Sequence, residues 1–291
     1  MNLKEYLKER GALVNDFLTK RLGVDTISPV DKAMEYSVTA GGKRLRPILL
    51  MGSADALGCD GTKFLPVAAG LEMIHTYSLI HDDLPSMDND DYRRGRLTNH
   101  KVFGDAMALL AGDGLLTQAF EVILEQKGVD PATLLEVVHL IAKCAGPAGM
   151  VGGQALDITS ENKQLTYEEM KQLHEAKTGA MFIAAVRSGA LLAGADEVSL
   201  AALTKFASLF GLAFQITDDI MDVVGDAAIM GKPVGSDAKL NKSTYVSLYG
   251  LDKARAMAAD TLAKAETVLE PFGTKAEPLL EITRHMINRQ K

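Results

Sequence analysis

Apolar residues recur along this chain at a helical period. Leu116, Ala119, Phe120 and Ile123 stand at i, i+3, i+4 and i+7, and so do Leu203, Phe206, Ala207 and Phe210, the spacing that lines one face of a helix. Start signals agree with that period. Ser28–Pro29 and Asp130–Pro131 each pair a capping side chain with a proline suited to the first helical position. Thr166 followed by Glu169 forms a capping box. Glycine-rich breaks at 41–42, 146–153 and 231–235 separate the periodic segments. No period-2 alternation is long enough to define a strand, and no repeat, low-complexity tract or linker marks a boundary. The expectation is a single all-α domain over 1–291, a bundle of roughly ten or more helices given a mean helix of about 11–12 residues.

Composition narrows the class. With 291 residues, 47% of them hydrophobic, and a net charge of −7, the chain can bury a large core and is not a disordered one. The acidic balance argues against nucleic acid as a partner. Cys59 and Cys144 are too few for a disulfide framework or a thiolate metal site. The opening MNLKEYLKERG is polar where a secretory signal needs an apolar run, and the apolar stretch from Gly179 to Ala195 is interrupted by Arg187 and Ser188. No membrane span is therefore expected, and a cytoplasmic location is.

The charge is clustered rather than spread. Asp82, Asp83, Asp88, Asp90 and Asp91 crowd one segment, and Asp218, Asp219, Asp222 and Asp226 another. In the later cluster Gln215, Asp218, Asp219 and Asp222 occupy i, i+3, i+4 and i+7, so amide and carboxylate fill the stripe that is usually apolar. A solvated face would carry lysine at i+4, and none is present. Three carboxylates on one face repel unless a cation bridges them or one is protonated, so the spacing points to a metal ion.

The earlier cluster reads IHTYSLIHDDLPSMDNDDYRRG. Leu84 precedes Pro85 and is pushed away from helical geometry. On an unbroken helix Asp82 and Asp88 would lie about 240° apart; a break at Pro85 lets them curl together. His75, seven residues before Asp82, shares its helix face. Oxygen donors without a nearby cysteine or a His pair suit Mg²⁺ better than Zn²⁺, and Mg²⁺ held by a few aspartates keeps positions open for substrate phosphates. Basic residues supply the other half of a phosphate site: Lys43, Arg44 and Arg46 after Gly41–Gly42, Arg93, Arg94 and Arg96 behind the first acidic cluster, then Lys177, Lys232 and Lys242. None of these matches a Walker loop or a dinucleotide fingerprint. Two aspartate clusters with this basic set imply a diphosphate substrate, and more readily two.

These motifs resemble those of the trans-isoprenyl diphosphate synthases. The resemblance rests on DDxxxxD at Asp82–Asp88 followed by Arg93–Arg94, and on DDxxD at Asp218–Asp222. GGKRLRP at 41–47, Gly152–Gly153–Gln154 with Asp157, Lys177–Thr178, Phe214–Gln215 and Gly231–Lys232 follow in the family's order. It runs from about residue 28 to 245, and the two extra residues in the first motif are similar to the bacterial short-chain branch. What the resemblance implies is an all-α fold around a central cavity, usually a homodimer. The implied reaction is Mg²⁺-dependent head-to-tail condensation of isopentenyl diphosphate with dimethylallyl and then geranyl diphosphate, giving farnesyl diphosphate (C15) and free diphosphate. Asp82, Asp88 and Asp218 would bind the Mg²⁺ ions, three of them with substrate present, with Asp83, Asp219 and Asp222 assisting. Arg93, Lys177, Thr178, Gln215 and Lys232, with Lys242, would hold the allylic diphosphate. Lys43, Arg46, His75 and Arg94 would hold isopentenyl diphosphate. The same resemblance makes Tyr77, with Ser78 beside it, the floor that sets chain length. Tyr77 lies about 7.5 Å below Asp82 along an ideal helix but is rotated about 140° from it. The alternatives are a C20 synthase, a class I terpene cyclase, which would not need groups for a second diphosphate, and a non-catalytic helical partner of a related synthase, which could have lost an aspartate motif.

Overall fold

A computed structural model describes residues 1–22, 28–161, 163–225 and 243–288. Among them the regular structure is helical, as the periodicity predicts, apart from one two-stranded hairpin. The helices fall into two compact units: one built from Asn2–Ile48 and Thr62–Leu134, the other from Met1, Leu49–Gly61 and Leu135–Lys291.

The unit formed by Asn2–Ile48 and Thr62–Leu134 contains α1 (Leu3–Leu22), α2 (Val30–Val38), α4 (Leu65–Asp82), α5 (Asn99–Phe103) and α6 (Asp105–Leu124). Helix α4 is buried along almost its whole length, and α6 packs on it. Gly70 permits the approach, since a Cβ there would meet Ile123 Cγ1 at 2.4 Å and the Ala119 carbonyl at 2.9 Å. The predicted stripe on α6 packs as expected: Ala119 and Ile123 are fully buried, Leu116 and Phe120 partly so. Helix α2 starts one residue later than the Ser28–Pro29 pair suggests. Pro29 is the residue before the helix, and the Ser28 hydroxyl accepts from the Val30 N–H instead.

In the second unit α10 (Ala180–Leu192) and α13 (Leu251–Leu269) flank the long α11 (Glu197–Val224). The stripe Leu203, Phe206, Ala207 and Phe210 is buried throughout. Both remaining start signals hold. Asp130 accepts from the N–H groups of Ala132 and Thr133 at the head of α7 (Pro131–Ala145). Thr166 and Glu169 close a reciprocal capping box on α9 (Tyr167–His174).

Two expectations need correction. The glycine-rich segment 146–153 is not one break, because α8 runs from Met150 to Thr159 and includes Gly152 and Gly153. These glycines serve close approach: a Cβ on Gly152 would lie 2.0 Å from the Pro147 carbonyl, and one on Gly153 2.2 Å from the Lys177 backbone nitrogen. Second, the stretch from Gly179 to Ala195 is not the one to weigh for a membrane. By length and composition α6, α11 and the stretch Pro131–Thr159 are each apolar and long enough to cross one. Much of the apolar surface of α6 and α11 is covered by neighbouring helices within each unit.

Candidate functional site

The first acidic motif sits where α4 stops. Asp82 is the last helical residue and Asp83 its cap, whose N–H reaches back to the Leu79 and His81 carbonyls. The chain then turns at Leu84–Pro85 as the proline requires, and the Asp88 N–H donates to the Asp82 carbonyl at 2.9 Å. The curl expected of this segment is therefore present, with Asp82 and Asp88 both half-buried on it.

Asp83 has a different task. It is 3% exposed and accepts three bonds from Arg93, two from Nε at 2.7 and 2.8 Å and one from Nη2 at 2.5 Å. Burial pushes its carboxyl up from the ordinary range, and the Arg93 guanidinium opposes that rise. Arg93 and Arg94 stand on a hairpin absent from the sequence expectation: β1 (Tyr92–Arg93) pairs antiparallel with β2 (Arg96–Leu97). Arg94 and Gly95 both have positive φ, 54° and 73°, as a two-residue primed turn requires. Arg94 turns away from Arg93 and donates to the Gly41 carbonyl, lying so close to Gly42 that a Cβ there would touch its guanidinium.

His75 is at the centre of this basic group. Burial lowers its pKa well below the usual histidine value, and Arg46, Arg94, Arg93 and Arg44 lower it further, so the ring is neutral at pH 7. Arg46 is pushed down to about 10, by burial first, with Glu72 opposing and Arg94 reinforcing. A histidine depressed by four arginines marks a locally positive environment, which favours an anion. Lys43 stands exposed on the same loop. Tyr77 is buried, packs edge-on against His81 with centroids 5.6 Å apart, and its phenol is raised by burial and by Asp82. Ser78 donates to the His75 carbonyl.

The second unit carries the other motif. Gln215, Asp218, Asp219 and Asp222 lie on the last turns of α11, Asp218 half-buried, Asp219 and Asp222 buried. Asp219 accepts from Gln215 Nε2 at 3.0 Å and from the Tyr245 N–H at 2.8 Å, which begins α12 (Tyr245–Tyr249). The Thr178 hydroxyl donates to Gln215 Oε1 at 3.1 Å. Thr178 and Lys177 belong to a π turn, Glu175–Gly179, between α9 and α10; such bulges are frequent at functional sites, and the sequence gives no sign of this one. Lys177 Nζ is 2.6 Å from Asp157 Oδ2, so the aspartate that follows the glycine pair in sequence pairs with this lysine. Beside them His174 is lowered to about 4, chiefly by burial, against the pull of Asp157. Asp226, Gly231, Lys232 and Lys242 lie outside the described residues.

Among the described residues no three His, Cys, Asp or Glu side chains converge to hold a metal ion by themselves. The first motif offers a few carboxylate oxygens beside the Arg93 guanidinium, the second a few beside amide, hydroxyl and lysine groups. That donor set fits Mg²⁺, which takes one or two carboxylates and completes its shell with water and substrate phosphate. It does not fit an ion that needs a full protein cage.

This helical fold with two aspartate motifs, each accompanied by arginine or lysine side chains, defines a class, and comparison with known proteins identifies it. Residues 28–271 match the polyprenyl synthetase family model, and the chain belongs to that family. It is 50% identical over 258 residues to the farnesyl diphosphate synthase of Geobacillus stearothermophilus, covering 88% of this chain and 87% of that one. It is 44% identical over 290 residues to the geranylgeranyl diphosphate synthase of Cyanophora paradoxa, covering 99% and 97%. The solved structure of an FPP/GFPP synthase from Zymomonas mobilis superposes with a TM-score of 0.89 at 36% identity, covering 98% of this chain and 99% of that one.

Proposed function

We propose that this protein is a Mg²⁺-dependent prenyltransferase that condenses isopentenyl diphosphate head-to-tail with dimethylallyl and then geranyl diphosphate, releasing farnesyl diphosphate and diphosphate. The observation that carries the reading is the cluster of cations around the half-buried His75, two helical turns before Asp82: Arg94 bonded to the Gly41 carbonyl, Arg93 to Asp83, and Arg44 and Arg46 just after that glycine. A single-diphosphate enzyme has no need of that group in addition to the Lys177–Thr178–Gln215 set.

Asp82 and Asp88 on one motif, and Asp218 with Asp222 on the other, would hold the Mg²⁺ ions, which when bound stabilise negative charge on the leaving diphosphate. Lys177, Thr178 and Gln215 orient the allylic diphosphate. Lys43, Arg46, Arg94 and the His75 ring hold isopentenyl diphosphate. Heterolysis of the allylic C–O bond leaves a carbocation and a diphosphate anion. The isopentenyl double bond attacks the cation, and the proton then lost from the adduct passes to the released diphosphate. No protein nucleophile is needed. The protein's contribution is charge stabilisation fixed in advance and the exclusion of water. Tyr77 limits growth at fifteen carbons. The C20 reading draws support from the geranylgeranyl relative; the C15 reading draws it from the bulk of the Tyr77 ring, buried on α4 five residues before Asp82.

The enzyme works as a single functional domain over 1–291, in the cytoplasm. The free thiols of Cys59 and Cys144 suit a reducing compartment. It works also as a homodimer, a reading supported by the apolar residues Leu109, Leu110 and Leu124, about half exposed on α6. Its long apolar helices serve the bundle rather than a bilayer.

The test is product analysis. Purified protein with Mg²⁺, isopentenyl diphosphate and each allylic primer should yield mainly C15 by mass spectrometry, and Asp82→Ala or Asp218→Ala should abolish turnover. A dominant C20 product would overturn the assignment of Tyr77; no condensation by folded protein would overturn the reaction.

A further inference from the structure

The middle basic residue of GGKRLRP is assigned to neither substrate, yet it is tightly held. Arg44 is 3% exposed and adopts φ +48°, a left-handed conformation that is costly for any residue with a Cβ. Its guanidinium is shared among three helices of its own unit. Nε donates to Asn15 Oδ1 on α1 at 2.8 Å, Nη1 to Glu72 Oε1 on α4 at 2.8 Å, and Nη2 to the Val38 carbonyl at the end of α2 at 2.5 Å. Glu72, itself 1% exposed, precedes His75 by one helical turn. A buried ion pair is weak grounds for stability, because desolvation offsets its attraction. What the pair does fix is where the loop sits. Lys43 precedes Arg44 on that loop, Arg46 follows it in the first turn of α3 (Leu45–Ala56), and Arg94 donates to Gly41 in the loop, so every group assigned to isopentenyl diphosphate is in this loop, in the helix start it leads into, bonded to it, or next to its anchor on α4.

We infer that Arg44 is a positioning residue for the isopentenyl diphosphate site: its three-way guanidinium anchor sets the backbone from which Lys43 and Arg46 reach the substrate and against which Arg94 rests. The inference rests on the assignment of Lys43, Arg46, His75 and Arg94 to that substrate. Lysine cannot replace arginine here, since one ammonium cannot serve three acceptors in the directions of a planar fork. The consequence is selective: loosening the anchor weakens one substrate and spares the other, whose groups are Lys177, Thr178 and Gln215.

The experiment compares Arg44→Lys, Asn15→Ala and Lys43→Ala with the unaltered protein, measuring KM for isopentenyl diphosphate and for geranyl diphosphate separately, with circular dichroism to confirm folding. Arg44→Lys should raise KM for isopentenyl diphosphate about tenfold, leaving KM for geranyl diphosphate and kcat at saturation within about twofold. Asn15→Ala, which removes one acceptor and no charge, should move the same constant in the same direction by less, and it carries the test alone if Arg44→Lys does not fold. If Lys43→Ala raises KM for isopentenyl diphosphate but the anchor variants leave it unchanged, or raise both KM values together, Arg44 has no positioning role. If Lys43→Ala itself leaves that KM unchanged, the substrate assignment fails and the inference with it.

Discussion

Gly153→Ala isolates the link between a small backbone space and catalysis. Gly153 sits inside α8, and the Cβ of an alanine there would lie 2.2 Å from the Lys177 nitrogen, 2.5 Å from its Cα and 2.8 Å from the Ala176 carbonyl carbon. Every one of these is backbone, so no side-chain rotation relieves the clash. Restoring ordinary contact at 3.4 Å requires the π turn and α8 to separate by about 1.2 Å at the first of them. That turn holds Lys177 and Thr178, and a displacement near 1 Å of a positioning group costs on the order of 100-fold in rate, or about 2.7 kcal/mol of transition-state stabilisation. Overpacking of this kind also costs about 1–3 kcal/mol of stability. The assay is steady-state kinetics with each substrate varied in turn, beside thermal unfolding. The expected result is a fall of about 100-fold in kcat/KM for the allylic diphosphate, a lowered Tm, and a KM for isopentenyl diphosphate that changes little. Gly11→Ala serves as the control. Gly11 is inside α1 with nothing within 4 Å of an added Cβ, and this change should stabilise by about 0.5–1 kcal/mol. Kinetics within threefold of wild type and an unaltered Tm for Gly153→Ala would refute the reasoning, because the steric conflict would then have been absorbed without moving Lys177.

Tyr77→Ala should shift the main product from C15 toward C20 and longer, read by mass spectrometry of the extracted alcohols; an unchanged C15 product would show that the ring is core packing and no floor. His174 is held neutral down to about pH 4 in the fold, whereas in the unfolded chain it protonates near 6.5. Unfolding therefore takes up a proton between those values, and the stability tied to neutral His174 is complete above about 6.5 and drains away as pH falls toward 4, by up to about 3 kcal/mol. His174→Gln should flatten that part of the Tm profile between pH 7 and 4.5; a profile parallel to wild type would mean the ring is solvated.

How much of this was legible in the sequence divides along physical lines. Helices announced themselves because apolar spacing and capping chemistry are local: Asp130–Pro131 and Thr166 with Glu169 did in the structure what their residue types dictate. The curl from Asp82 to Asp88 was legible for the same reason, since Pro85 restricts its own neighbour. The hairpin was not, because strands of two residues are too short to alternate. Gly152 and Gly153 read as a break because glycine serves turns and close approaches alike, and only the neighbouring backbone tells which. The π turn at 175–179 has no residue signature. Among the basic residues, Lys43, Arg44 and Arg46 look alike in sequence, yet the first is exposed and the second buried. Which carboxylates are tied was equally hidden: in both motifs the second aspartate, Asp83 and Asp219, is held by protein donors.

The primed turn at Arg94–Gly95 has a strict length. Arg93 and Arg94 are adjacent, and the turn sends them to opposite duties, one to Asp83 and the other to Gly41. Arg93 ends the strand, whereas Arg94 already lies in the turn at φ 54°, so the reversal of the chain falls between the two side chains. A two-residue turn of this kind has no room for a third residue without changing its type. Its count acts as a gauge: a substitution in the turn is graded in effect, while an insertion after Arg93 leaves that arginine on Asp83 and carries its neighbour away from the glycine loop.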